Sequence, residues 1–235
     1  MTPRKEVLAD GVELWLGDCR EILPSLPRVD AVVTDPPYGK RIDRDMARKS
    51  GTQHGQARAA KRIYEATGWD DDPPSDETIS LMRHAATWQV IFGGNYFDLP
   101  PSSCWLVWDK KTTGNYADCE LAWTNIPTVV RRIEWTWNGM IRKGDDCREH
   151  PTQKPEGVIK WCIEQLPEPN GTIIDPMMGS GTTGVAAVKL SRKFIGIERV
   201  SAYFDIARRR ISEALKQPDL FIEKPKPPTQ EKLFL

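Results

Sequence analysis

Four consecutive residues, Asp35-Pro36-Pro37-Tyr38, set a carboxylate, a rigid carbonyl and an aromatic ring side by side. Each proline fixes φ and removes a backbone donor, so the turn presents acceptors only. A planar base bearing an exocyclic –NH2 suits that set. The Asp35 carboxylate and the Pro36 carbonyl each accept one amine hydrogen, and Tyr38 stacks on the ring, a contact worth roughly 1–3 kcal/mol. Accepting both hydrogens bends the nitrogen toward sp³ and aims its lone pair at an electrophilic methyl. Neither a metal nor a covalent nucleophile is required. Asp-Pro-Pro alone would read as a tight turn. Its place directly after the β-branched run Ala31-Val32-Val33-Thr34 favours chemistry, because open α/β sheets bind ligands at the carboxyl ends of their strands.

A second constellation lies far downstream. Gly179-Ser180-Gly181-Thr182-Thr183-Gly184 has the spacing G-x-G-x-x-G, follows a predicted strand and opens a predicted helix. Glycines there permit a tight turn and close backbone approach to a ligand at a helix N-terminus. Glu198 closes the next strand, where a carboxylate can accept from ribose hydroxyls. The pair points to a nucleoside-bearing cofactor without saying which. No lysine follows the loop as a Walker sequence requires, which disfavours a P-loop NTPase.

The elements that must position these groups follow from periodicity. Residues 12–16 alternate as a strand, and residues 19–26 form a short helix ending at Pro27. Strands are predicted at 31–34, 88–92, 104–108, 120–123, 172–174 and 194–197, and helices at 76–86, 156–166, 181–190 and 201–215, the last with a basic outer face. The closing β-α-β-α run makes the class α/β with a mainly parallel sheet. In a dinucleotide-binding fold the glycine loop follows the first strand. Here little more than one β-α unit follows it, so the order is that of a circularly permuted sheet and not of an ordinary dehydrogenase.

Residues 40–68 break this texture. Lys40, Arg41, Arg44, Arg48, Lys49 and Arg58 stand there with little apolar periodicity, a mobile basic insertion for which DNA contact and a solvated loop fit equally well. Residues 127–150 are rich in Arg and Trp, with Arg131 and Arg132 further candidates for DNA contact and Trp135 and Trp137 better read as packing. The 235 residues fit one domain at 1–216 followed by a Pro- and Lys-rich tail at 217–235. The formal net charge of zero confines any nucleic-acid surface to a local patch. Five scattered cysteines without C-x-x-C spacing argue against disulfides and zinc, and the expected setting is a reduced cytoplasm without a membrane span.

Taken jointly, Leu16-Gly17-Asp18, Asp35-Pro36-Pro37-Tyr38-Gly39, His150-Pro151-Thr152-Gln153-Lys154-Pro155 and Asp175-Pro176-Met177-Met178-Gly179-Ser180-Gly181-Thr182-Thr183 resemble the amino-methyltransferases of DNA. Their order matches the permuted group often termed the β class. The resemblance spans most of residues 14–215 and implies a doubly wound, Rossmann-like sheet with permuted motif order. It implies S-adenosylmethionine as cofactor, S-adenosylhomocysteine as product and no metal. It makes Asp35, Pro36, Pro37 and Tyr38 catalytic. Asp175, Pro176, Met177 and the loop Gly179, Ser180, Gly181, Thr182 and Thr183 would hold the methionine part, Glu198 the ribose and Asp18 with Cys19 the adenine. Asp35 would border the cofactor, and Thr152, Gln153 and Lys154 would close over it. Met177 stands where the family often has Phe.

The implied partner is double-stranded DNA at a short site, with the base flipped out at a cost of a few kcal/mol. Many relatives dimerise, so a homodimer is expected, in a bacterial or phage-encoded setting. Asp35 leans to adenine N6, since the family's cytosine-N4 enzymes more often carry Ser there. An RNA or protein-amide methyltransferase and a non-catalytic nucleotide-binding module are the rival readings. In the tail, Gln217-Pro218-Asp219-Leu220-Phe221 and Gln230-Glu231-Lys232-Leu233-Phe234 both fit Q-x-x-L-F, which looks like a sliding-clamp docking peptide.

Overall fold

The computed structural model describes residues 3–39, 72–111, 117–138, 141–142 and 153–216. The predicted basic insertion, Thr152 and the two Q-x-x-L-F segments lie outside the described residues.

Nine strands form one sheet. In chain order they are β1 (Arg4–Ala9), β2 (Val12–Leu16), β3 (Val29–Thr34), β4 (Ala86–Phe92), β5 (Trp105–Asp109), β6 (Cys119–Thr124), β7 (Arg131–Glu134), β10 (Ile173–Asp175) and β11 (Phe194–Glu198). A separate small hairpin pairs β8 (Trp137–Asn138) with β9 (Ile141–Arg142). The spatial order is β1-β2-β11-β10-β3-β4-β6-β5-β7. The central run from β2 to β4 is parallel. Strand β1 and strand β6 enter antiparallel, and β7 lies parallel to β5 at the far edge. The central strands read as near-continuous apolar runs because helices cover both faces of a parallel sheet.

Among the described residues five helices do the covering: α1 (Cys19–Ile22), α2 (Asp76–His84), α3 (Glu156–Glu164), α4 (Thr182–Lys189) and α5 (Ser201–Lys216). On one face Val158, Ile163, Val185, Phe204 and Ile211 pack on Leu14, Val33 and Ile173. On the other, Ile22, Ile79 and Met82 pack on Val32, Ile174 and Ile197. This two-sided cover makes the sheet doubly wound. Strand β3 and strand β10, from distant parts of the chain, lie side by side, so the Asp-Pro-Pro-Tyr turn and the glycine loop leave the same sheet edge as neighbours.

The predicted helix at 19–26 is shorter than expected. It is α for one turn and continues as a 3-10 turn at Leu23–Ser25, because Pro24 has no N–H to extend the α ladder. Strand β1, not predicted, is charged and largely exposed, with the pattern of a protected edge strand. Its overlooked signal is Asp10-Gly11, a hairpin turn with Gly11 at φ +71°.

Candidate active site

A cavity of about 400 Å³ opens at the carboxyl ends of β2, β3, β10 and β11. Its lining includes Asp18, Asp35, Lys154, Asp175, Thr183 and Glu198. The volume falls in the range usual for small-molecule and cofactor sites.

The cofactor side is built by the turns after β10 and β11. Asp175 ends β10, 3 % exposed, and accepts from the Thr34 hydroxyl at 2.7 Å and from the Met177 amide at 3.1 Å. Thr34 immediately precedes Asp35, so one hydrogen bond ties the two turns together. The Glu198 carboxylate accepts the Gly179 amide at 2.9 Å on one oxygen and the Val200 amide at 2.8 Å on the other. Gly181, at φ +79°, caps α4 without any side-chain hydrogen bond, which leaves the amides of that N-terminus suited to a carboxylate ligand. Arg210 of α5 braces the loop, donating to the Ser180 carbonyl at 2.6 Å, the Ser180 hydroxyl at 3.1 Å and the Thr182 hydroxyl at 3.2 Å. The sequence offered only a basic helix face; the i+3 and i+4 neighbours of Arg210 give no hint that it reaches back thirty residues.

Asp18 caps α1, accepting the Arg20 amide at 2.9 Å, and is ion-paired with the Arg20 guanidinium at 2.5 Å. The Arg20 hydrogen bond, working against partial burial, holds the Asp18 carboxyl below its ordinary value. Burial pushes the Cys19 thiol up to about 12, so it serves as an apolar wall. Met177 packs against the core on the same side.

The Asp35 side holds a buried chain of charges. The Tyr38 hydroxyl donates to one Asp35 oxygen at 2.5 Å, and the Lys154 ammonium donates to the other at 2.5 Å. Lys154, 7 % exposed, also lies 3.1 Å from Glu120 of β6, which pairs with Lys110 at 2.6 Å. Burial raises the Asp35 carboxyl, and Lys154 pulls it back. Burial works against the Glu120 charge, yet Lys154 and Lys110 hold its carboxyl at about 2. Burial likewise opposes the Lys154 charge, but Asp35 and Glu120 outweigh it and keep the ammonium protonated. The ring of Tyr38 stacks on Tyr96 at 5.0 Å and meets Phe97 edge-on at 6.2 Å. Gly93, at φ +66°, lets that ring lie against the backbone, since a Cβ would fall inside it.

Most of the predicted site residues that are described converge here. Asp18, Cys19, Asp35, Pro37, Gln153, Lys154, Asp175, Pro176, Met177, Gly179, Ser180, Thr182, Thr183 and Glu198 all line the cavity, while Pro36, Tyr38 and Gly181 adjoin lining residues in the chain without lining it themselves. Lys154, expected over the cofactor, lines the cavity and also donates to the Asp35 carboxylate. Tyr38, expected to stack on a base, rests on Tyr96 and donates to Asp35. Arg131 and Arg132 sit on the edge strand β7, away from the cavity, with Arg132 paired to Glu134 and Asp109. Trp135 packs partly buried against the core. Glu120, Lys110, Tyr96 and Arg210 were missed; Tyr96 alone had a signal, in Gly93-Gly94-Asn95-Tyr96 closing a strand.

The two cofactor-side carboxylates make the fold pH-sensitive. Burial raises Glu198 to about 7 and Asp175 to about 6. Between the ordinary carboxylate range and those values the folded state binds protons that the unfolded chain has released. Stability therefore rises as pH falls from about 8 to about 5. At lower pH the loss of the Glu120 charge reverses the trend. The thermal midpoint of the ligand-free protein is expected to climb across that window, and Glu198→Gln to flatten the slope. A midpoint that falls steadily from pH about 8 to about 5 contradicts the assignment.

The fold is a doubly wound, mainly parallel α/β sheet with a cavity at the carboxyl ends of its central strands. Residues 103–209 match the model of the DNA methylase family N6_N4_Mtase. Among curated relatives, the Type II methyltransferase M.HinfI of Haemophilus influenzae is 27 % identical over 248 aligned positions, covering 86 % of this chain and 69 % of its own. The Type II methyltransferase M2.LlaDCHI of Lactococcus lactis subsp. cremoris is 40 % identical over 85 residues, 35 % of this chain and 32 % of its own. The crystal structure of the M1.HpyAVI–SAM complex superposes with a TM-score of 0.52 at 24 % identity, over 84 % of this chain and 98 % of the other, a likeness of fold.

Proposed function

We propose that this protein is a site-specific DNA methyltransferase that methylates the exocyclic amine of a base flipped out of double-stranded DNA, with adenine N6 as the target. The observation that carries the reading is the hydrogen bond from Thr34 to Asp175, which fixes the amine-accepting turn beside the cofactor cavity. Bound S-adenosylmethionine supplies an electrophilic methyl group on a sulfonium. The uncapped N-terminus of α4, with Thr182 and Thr183, suits its carboxylate, and Glu198 its ribose hydroxyls. Each Glu198 oxygen already takes one backbone amide and keeps a lone pair for a further donor. Asp35 and the Pro36 carbonyl accept the amine hydrogens, and Tyr38 fixes the Asp35 carboxylate from behind. The bound cofactor would supply the methyl group, and Asp35 would take up the proton that the amine gives up.

Finer features of the reading rest on sequence: the permuted β-class order, the domain at 1–216, and Asp35 as the sign of adenine over cytosine N4. The basic residues at 40–68 with Arg131 and Arg132 are proposed to contact DNA. A cytoplasmic homodimer and clamp docking through either Q-x-x-L-F segment belong to the same set of proposals. Among the described residues no helix is long and apolar enough to cross a membrane, and no three His, Cys, Asp or Glu side chains cluster as a metal site.

The test has two readouts. S-adenosylmethionine at about a hundred times its Kd stabilises the native state by about 2.7 kcal/mol and raises the melting temperature, whereas NAD and ATP do not. Nucleoside analysis of treated DNA then finds N6-methyladenine. N4-methylcytosine instead moves the target to cytosine, and stabilisation by NAD or ATP alone overturns the cofactor.

A further inference from the structure

The buried charge chain behind the cavity has a role that amine methylation by Asp35 does not itself require. Both Asp35 oxygens are taken among the described residues, one by Tyr38 and the other by the Lys154 ammonium at 2.5 Å. An ammonium donates to a carboxylate as an exocyclic amine does. A donor position that a target amine could take on Asp35 is therefore held by an amine of the protein itself. For a base to take that position Lys154 must leave it, and a buried cation that leaves one carboxylate needs another.

Glu120 meets that need. Its Oε2 lies 3.1 Å from the Lys154 nitrogen, close enough for an ion pair, yet this buried oxygen has no hydrogen-bond partner of proper geometry. A small swing of the lysine from Asp35 toward Glu120 completes that bond. Lys110, 2.6 Å from the other Glu120 oxygen, keeps Glu120 ionised and in place on β6. The four groups, two carboxylates and two ammonium ions, sum to zero, so the swing moves a proton donor without stranding a net charge. The aromatic faces of Phe92 and Tyr38, 5.3 and 5.6 Å from the Lys154 nitrogen, line its surroundings.

We propose that Lys154 is a place-holder for the target amine on Asp35, and that Glu120 is the positioning residue that receives Lys154 when the base enters. This rests on the DNA methyltransferase reading above. It implies that Glu120 acts through Lys154 and touches neither base nor cofactor.

The experiment is a double-mutant cycle on the full chain: wild type, Glu120→Gln, Lys154→Met and the double variant. Each is assayed for labelled-methyl transfer to duplex DNA in mildly alkaline buffer, with S-adenosylmethionine affinity and thermal midpoint measured alongside. Glu120→Gln is expected to lower kcat/KM for DNA by about ten- to a hundredfold, because Lys154 then stays on its only remaining carboxylate. Cofactor affinity stays within about twofold, less than RT. Adding Lys154→Met to Glu120→Gln removes the competing ammonium and recovers at least about tenfold of the loss. A merely structural Glu120 would show no such rescue. Glu120→Gln with wild-type kinetics, or a double variant no faster than Glu120→Gln, overturns the place-holder while leaving the enzyme assignment standing. A wild-type protein that methylates no DNA overturns both.

Discussion

Asp35→Ala is expected to abolish methyl transfer while the protein still binds S-adenosylmethionine. The carboxylate is the proposed amine acceptor of the turn, and neither group on it can replace it: the Tyr38 hydroxyl is its donor, and Lys154 has no acceptor to offer. Loss of one preorganised electrostatic group typically costs about 10²–10³ in kcat, and this one also sets the orientation of Tyr38, so the expected loss is at the upper end or beyond. The groups that would hold the cofactor, Asp175, Glu198 and the glycine loop, make their hydrogen bonds independently of Asp35. Labelled-methyl transfer and the thermal shift with cofactor are the paired measurements. Near-normal transfer by Asp35→Ala removes the mechanism. Asp35→Asn, which keeps the shape and one acceptor, separates loss of charge from collapse of the pocket.

Gly181→Val is expected to disable cofactor binding and to destabilise the fold together. Gly181 has φ +79°, and a Cβ there would sit 2.8 Å from the Ala207 Cβ and 2.9 Å from its Cα. A β-branched residue in that conformation costs about 1–2 kcal/mol. Overpacking against a helix backbone adds about 1–3 kcal/mol. The sum is a large share of the roughly 5–15 kcal/mol that holds a domain folded. Relief by moving α5 would drag Arg210 from Ser180 and Thr182, so the loop loses its brace along with its shape. Denaturant unfolding and the thermal shift with S-adenosylmethionine report the two losses. A variant of native stability with an undiminished cofactor shift shows that this turn does not build the site.

The parts of the site legible in sequence are those whose chemistry is local. Asp35-Pro36-Pro37-Tyr38 and Gly179–Thr183 carry their backbone constraints in adjacent residues, and the apolar runs around them announce buried parallel strands. What stayed hidden depends on residues brought together across the fold. Lys154 meets Asp35 across 119 positions, and Glu120 reaches Lys154 from β6, which runs antiparallel beside β4. No periodicity in either segment encodes that meeting. Strand β1 was missed for another reason: Arg4, Lys5 and Glu6 look like solvated chain, and it is the pairing with β2, not burial, that makes them a strand. The helix at 19–22 was overextended because apolar spacing continued past Pro24, whose missing donor outweighed it.

The Thr34–Asp175 hydrogen bond has a bearing on how such a protein can diversify. It is formed across two paired parallel strands, and a slip of one residue would turn the Thr34 side chain to the opposite face. A slip of two would shift the turn by about 6–7 Å along the strand. The span between methyl donor and acceptor is thus a property of strand register, inherited from the sheet's ladder. Segments that join the strands can lengthen, shorten or change sequence without altering that span. Recognition of new DNA sequences can then evolve in the connections while the reacting distance stays constant.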